Sequence, residues 1–144
     1  MERPIRSLGE IALRVRDLDK MQQFYEEVIG LELMRRFEKS AFFRIADGYA
    51  GHTQILALFD RSDQHGYSAP DAKQSTVDHI AFAIGLEEYE PEKQRIRNLG
   101  FEVRTAEHEW VRWRSLYVTD PEGNNVELVC SDASIGSAPS VNES

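Results

Sequence analysis

The chain holds a single cysteine, Cys130, in 144 residues. An internal disulfide is therefore excluded, and a reducing compartment is the simpler setting. No apolar run is long enough to span a bilayer, and no signal-peptide pattern opens the chain. A soluble cytoplasmic protein is expected. Positive charge is also short: 17 Lys and Arg stand against 25 Asp and Glu, a net charge of −8. That balance argues against nucleic acid and anionic membrane as partners, since both demand basic surface.

What the chain does have is a repeat. Glu10-Ile11-Ala12-Leu13-Arg14-Val15 returns 69 residues later as His79-Ile80-Ala81-Phe82-Ala83-Ile84. Each copy is followed by a helical stretch and a glycine-led segment. These are Gly30-Leu31-Glu32-Leu33 and Gly100-Phe101-Glu102-Val103, 70 residues apart. A repeat this long is one folding module used twice. Polar residues at equivalent places in the two copies are then natural site candidates.

In module one, Ile11, Leu13 and Val15 alternate with Glu10, Ala12 and Arg14, the pattern of a half-buried strand. Asp17 or Asp19 can cap a helix running through Leu18, Met21, Phe24, Tyr25 and Val28, and Gly30 ends it. Strands are predicted near 31–37, 41–46 and 53–59. Residues 61–75 are polar, with glycine and proline, and read as a linker. Module two repeats the plan, with a strand at 77–84, a helix near 88–99 and strands near 101–105, 111–119 and 125–130. The segment Asp120-Pro121-Glu122-Gly123-Asn124 predicts a hairpin turn.

The order is βαβββ twice, an α+β fold. One domain is expected over 1–131, with module one at about 7–60 and module two at about 76–131. Residues 132–144 have little to bury and are expected to be a disordered tail. Strand parity sorts the second module. Ile80, Phe82, Leu116, Val118, Val126 and Leu128 should pack under the helix. His79, Ala81, Ser115, Tyr117 and Glu127 should face the other way, toward a cavity. Cys130 reads as a structural strand residue.

The chain resembles the vicinal oxygen chelate superfamily, which includes glyoxalase I, extradiol dioxygenases, fosfomycin-resistance enzymes and bleomycin-binding proteins. The resemblance is carried by FYEEVIGLEL (Phe24 to Leu33) and DPEGNNVELV (Asp120 to Val129), and covers about residues 7–131. It implies that the modules pair into a U-shaped, cleft-forming mixed sheet with helices on the outer face. It further implies that the cleft holds a divalent metal. The ligand positions fall on Glu10, His79 and Glu127. Glu10 departs from the histidine usual there. A fourth position, used by glyoxalase I, falls on Ala57 and is lost. Family members often dimerise, so a homodimer is an expectation, and the linker allows the modules to pair within one chain or across a dimer.

The C-terminal quarter resembles extradiol dioxygenases more closely, through His108, Leu116-Tyr117, Asp120-Pro121, Gly123 and Glu127. His65, 14 residues before His79, falls where their acid–base histidine lies. The resemblance assigns His65, His108 and Tyr117 to catalysis, and strand alternation, which turns Trp113 and Ser115 to the same side as Tyr117, makes those two the expected substrate contacts. The expected function is a metal-dependent enzyme acting on a small molecule with vicinal oxygens, with ring cleavage of a small aromatic diol as the specific form. A glyoxalase-like lyase or isomerase and a metal-free, bleomycin-type binding protein are the alternatives. Fe²⁺ or Mn²⁺ is the expected metal, with Zn²⁺, Ni²⁺ and Mg²⁺ as alternatives; the extra carboxylate favours harder ions. Plainer roles compete at each position. Glu10 can pair with Arg14, His79 and Glu127 can be ordinary hydrogen-bonded residues, and His65 and His52 can be solvated.

Overall fold

The computed structural model describes residues 3–136. The chain divides into two compact units, Met1–Ser75 and Thr76–Ser144. The first contains β1 (Glu10–Arg14), α1 (Leu18–Gln23), β2 (Glu32–Arg36), β3 (Ser40–Asp47) and β4 (Thr53–Phe59). The second contains β5 (His79–Ala83), α2 (Tyr89–Asn98), β6 (Arg104–His108), β7 (Trp113–Thr119) and β8 (Asn125–Ser131). The sheet orders are β1-β4-β3-β2 and β5-β8-β7-β6. In each, the first strand runs parallel to the last and the other pairings are antiparallel. The predicted α+β architecture, two βαβββ modules, is what the chain forms.

Each unit buries one face of its sheet under its helix. In the first, Leu13, Leu56, Leu58, Ala41 and Phe43 are buried with Leu18, Met21, Phe24 and Tyr25. In the second, Ile80, Phe82, Leu116, Val118, Val126 and Leu128 are buried with Tyr89 and Ile96. Those are the residues that strand parity assigned to the core. Asp17 caps α1, its carboxylate accepting from the Lys20 N–H at 3.1 Å. Both helical segments end before a glycine at positive φ, Gly30 at 90° and Gly100 at 96°, conformations other residues adopt only at a cost.

Three local features differ from the sequence reading. The predicted single helix is α-helical only to Gln23, and Phe24–Ile29 widens into a π-helix. The wider turn puts two consecutive apolar pairs, Phe24-Tyr25 and Val28-Ile29, against the core together. The strand predicted at 101–105 lies at Arg104–His108 instead. Val103 is buried before the strand begins, so the alternation that suggested a strand comes from packing and not from pairing. Val111, read as a strand residue, sits in the β6–β7 turn, where Arg112 takes a positive φ of 57°. The expected tail falls mostly outside the described residues. Of its described part, 132–136, Ile135 is 4% exposed and Asp132 is buried. No helix among the described residues is long and apolar enough to cross a membrane.

Candidate functional site

The second unit carries a polar constellation on the sheet face opposite α2. Register places it there. His79 pairs with Asn125, and Ala81 with Glu127, across β5–β8. Tyr117 pairs with Glu127, and Ser115 with Val129, across β7–β8. Arg104 pairs with Tyr117, Ala106 with Ser115, and His108 with Trp113 across β6–β7. Directly opposed residues share a face, so His79, Glu127, Tyr117, Ser115, Trp113, His108 and Arg104 all lie on it.

His79 Nε2 stands 3.3 Å from Glu127 Oε1. The other ring nitrogen, Nδ1, is 2.7 Å from Asp78 Oδ2. An ionised carboxylate only accepts, so Nδ1 carries the proton and donates it to Asp78. Nε2 then faces Glu127 either as a bare lone pair or with a second proton. A lone pair directed at a carboxylate oxygen is repulsive, so a cation, either a proton or a metal ion, belongs between them. The spacing suits both: two ligands of one divalent ion, each about 2.0–2.1 Å away, sit about 3.0–3.4 Å apart. A carboxylate behind a histidine is also the usual outer support of a metal-binding imidazole. The donor pair fits a divalent cation.

Glu127 is 4% exposed, and its burial requires partners. Its Oε2 accepts a 2.5 Å hydrogen bond from Ser115 Oγ. That bond turns Oε1 toward His79. Ser115 is itself fully buried, and its carbonyl accepts from the Tyr89 hydroxyl at 2.9 Å. Ser115, expected to contact substrate, donates its hydroxyl hydrogen to Glu127 and so orients the carboxylate.

The His108 Nε2 and the Tyr117 hydroxyl lie 3.1 Å apart, with Glu127 Oε2 3.9 Å from the same nitrogen. Burial, reinforced by the negative charge of Glu127, holds the Tyr117 hydroxyl above its ordinary pKa, so it keeps its proton. Trp113 is 41% exposed, with its ring 6.4 Å from that of Trp110. Arg104 donates to Asn125 Oδ1 at 2.5 Å.

The remaining expected residues belong to the first unit. Glu10 opens β1 and is exposed; His65 lies in an exposed turn after β4. Arg14, the ion-pair partner weighed for Glu10, donates instead to Gln64 at 3.2 Å. The ring of His52 lies against Gly9, 3.5 Å from where a Cβ would stand. Among the described residues, no three His, Cys, Asp or Glu side chains gather into a set able to hold a metal. Of the three expected ligands, the structure joins two, His79 and Glu127. Cys130 is buried, and burial raises its thiol pKa, as suits a structural residue.

Sequence reasoning missed Asp78 and Arg104. An acidic residue immediately before a candidate ligand histidine at a strand entry was the available signal for the first. Arg104 was hidden by the misplaced start of β6.

The model of the Glyoxalase/Bleomycin resistance protein/Dioxygenase superfamily matches residues 7–128. The glutathione transferase FosA of Serratia marcescens is 30% identical over 124 residues, covering 86% of this chain and 80% of that protein. The lactoylglutathione lyase of Agrobacterium tumefaciens superposes with a TM-score of 0.65 at 29% identity, covering 89% of this chain and 96% of that one. A variant of the fosfomycin resistance protein FosX of Listeria monocytogenes, complexed with Mn(II) and 1S,2S-dihydroxypropylphosphonic acid, superposes with a TM-score of 0.65 at 28% identity. It covers 89% of this chain and 92% of that one.

Proposed function

The chain belongs to the Glyoxalase/Bleomycin resistance protein/Dioxygenase superfamily, and from that premise we propose that it is a metal-dependent enzyme adding a thiol or water to a small electrophile that carries neighbouring oxygens. The observation that carries this reading is the line Asp78–His79–Glu127–Ser115, at 2.7, 3.3 and 2.5 Å between successive groups. It would supply two protein ligands, each with its own hydrogen-bonded support. The relatives named above support transfer or lyase chemistry: two are named as a glutathione transferase and a lactoylglutathione lyase, and the third is complexed with Mn(II) and a vicinal diol.

His79 Nε2 and Glu127 Oε1 would hold the ion, with Glu10 proposed as a third ligand. A bound divalent ion acts as a Lewis acid toward substrate oxygen. Asp78 fixes the proton on His79 Nδ1 and so presents Nε2 as a donor pair. Ser115 stops Glu127 from rotating away. Tyr117, kept protonated, can donate its hydroxyl hydrogen to a substrate oxygen, and His108 Nε2 at 3.1 Å can accept or return a proton there. Trp113 offers an exposed ring for substrate contact.

A second reading is ring cleavage of an aromatic diol. It is favoured by the His108–Tyr117 contact, with His65 as its acid–base group, and it gains nothing from the relatives. The test is metal content of protein purified without tag or chelator, followed by thiol consumption with an epoxide and oxygen uptake with a catechol. Near-stoichiometric metal, lost in His79→Ala and in Glu127→Ala, with thiol consumption or diol formation, is the expected outcome. Metal retained by both variants would sink the proposed centre, and oxygen uptake without addition would favour ring cleavage.

A further inference from the structure

Tyr89 opens α2, behind the sheet that carries His79 and Glu127, and is 3% exposed. A phenylalanine would fill the same space without a polar atom. A buried hydroxyl costs free energy unless it is bonded, so the one at Tyr89 needs a use. It crosses to β7 and donates to the Ser115 carbonyl oxygen at 2.9 Å, in a buried bond. Ser115 in turn donates from Oγ to Glu127 Oε2 at 2.5 Å. Two consecutive hydrogen bonds thus join the helix-covered side of the sheet to the carboxylate on its other face.

Strand parity explains why the path runs through the backbone. Leu116 is buried under α2, and Ser115, one residue earlier, turns to the other face. Tyr89 stands behind the strand, and the Ser115 carbonyl lies within the sheet between them. The phenol ring is closely held. Arg114 Cζ and Lys93 Nζ lie 5.8 and 5.5 Å from its centroid. Arg114 is itself fixed by Asp132 at 2.9 Å and Glu107 at 2.8 Å. Burial pushes the Tyr89 phenol above its ordinary pKa, so it remains a donor. The repeat supplies a contrast. In the first unit Ala57 occupies the place of Glu127, and Ser40 that of Ser115. There the Ser40 carbonyl accepts from the Phe37 N–H at 2.8 Å, and α1 buries Leu18 and Met21, which carry no hydroxyl. The helix hydroxyl accompanies the carboxylate.

We propose, on the footing of the metal centre described above, that Tyr89 is a positioning residue: by holding the Ser115 carbonyl it sets the Ser115 hydroxyl, and through it the orientation in which Glu127 presents Oε1 to a metal ion. Without the phenol, the Ser115 peptide unit is free to tilt, and Oγ moves with it. The test compares Tyr89→Phe, Ser115→Ala, the double variant and Ile96→Val, each in the full chain, by two readouts. The first is Mn(II) affinity from calorimetric titration. Tyr89→Phe should weaken it about fivefold, the worth of one hydrogen bond. In the Ser115→Ala background it should change nothing further, because the path is already cut. Ile96→Val trims the same fully buried helix–sheet core, and should lower the thermal midpoint while leaving Mn(II) affinity alone. The second readout is the NMR chemical shift of the Glu127 side-chain carboxyl carbon in protein stripped of metal with EDTA. In Tyr89→Phe it should move toward its value in Ser115→Ala. An unchanged Mn(II) affinity in Tyr89→Phe, a loss that simply adds to that of Ser115→Ala, an equal loss in Ile96→Val or an unmoved carboxyl signal would overturn the proposal. No Mn(II) uptake by the unsubstituted chain would instead fell the metal centre, and the carboxyl signal alone would then decide whether Tyr89 positions Glu127.

Discussion

The two units share a ladder and differ in what they hang on it. By register, Glu10 corresponds to His79, Ala57 to Glu127, Phe42 to Tyr117 and Ser40 to Ser115. The second unit thus has an imidazole, a carboxylate, a phenol and a hydroxyl in mutual hydrogen-bonding reach. The first has a carboxylate on its edge strand, a methyl group where the buried acid would be, and a phenyl ring in place of the phenol. Removing the acid at 57 leaves the hydroxyl at 42 without a purpose and with a desolvation cost, so a phenyl ring there is the cheaper residue. The frame is indifferent to this exchange because neither face contributes to the helix-covered core. One unit is free to specialise in polar chemistry while its repeat becomes an aromatic wall.

The largest expected effect tests that division at its centre. Glu127→Ala makes the second unit resemble the first at its buried position. Metal affinity should fall by well over the ~100-fold that loss of an outer support costs. Direct metal titration checks it, and undiminished binding would erase the functional contrast between the units. Next comes the core. Phe43 in the first unit corresponds to Val118 in the second, and both are fully buried. Phe43→Ala should cost about 3–5 kcal/mol by denaturant unfolding. Val118→Ala should cost about 1–2 kcal/mol less, since fewer buried atoms are removed. Similar costs would mean that the two cores differ less in their packing than their side chains do. Asp78→Asn follows, with metal affinity down roughly 10–100-fold and little change in thermal midpoint. No change in affinity would show that His79 needs no carboxylate behind it.

Much of this was legible in the sequence because the repeat and strand parity are backbone properties. A period of two, read from Ile80-Ala81-Phe82, sorts every residue of β5 to a face whatever its rotamer. The same parity put His79, Tyr117 and Glu127 on one side. What it left open was reach. Ser115 has the right parity for a substrate contact, but its side chain ends on Glu127, a choice made by burial and not by the strand pattern. Asp78 escaped because it precedes β5, where period-two reasoning stops. The π-helical turn at Phe24–Ile29 escaped for a related reason. Its apolar residues suit both a narrow and a wide helix, and only the Gly30 N–H reaching the Tyr25 carbonyl, at 3.1 Å, decides between them.

The finest comparison lies just past the last strand of each unit. Asp60 follows β4 and Asp132 follows β8, and each accepts the backbone N–H of a serine two residues on, Ser62 at 2.9 Å and Ser134 at 3.0 Å. Each is held below the usual carboxylate range, first by its serine's hydrogen bonds and then, with burial opposing, by a cation: Lys39 for Asp60 and Arg114 for Asp132. A carboxylate with a depressed folded-state pKa stabilises the fold above its unfolded pKa of about 3.9, and that contribution is lost as pH falls through the folded value. Asp60→Asn and Asp132→Asn should therefore both lower the thermal midpoint at pH 6, by a few degrees at most, and the deficit should shrink as the pH is taken below 3.9. Asp132→Asn should show the larger deficit. Its partner is an arginine at 2.9 Å and its side chain is more buried, whereas Asp60 meets a lysine at 3.5 Å. Thermal melts of the two variants between pH 3 and pH 7 check the order. A deficit that persists undiminished at low pH would mean that the two turns are held by shape alone, and the repeat would then extend to backbone but not to charge.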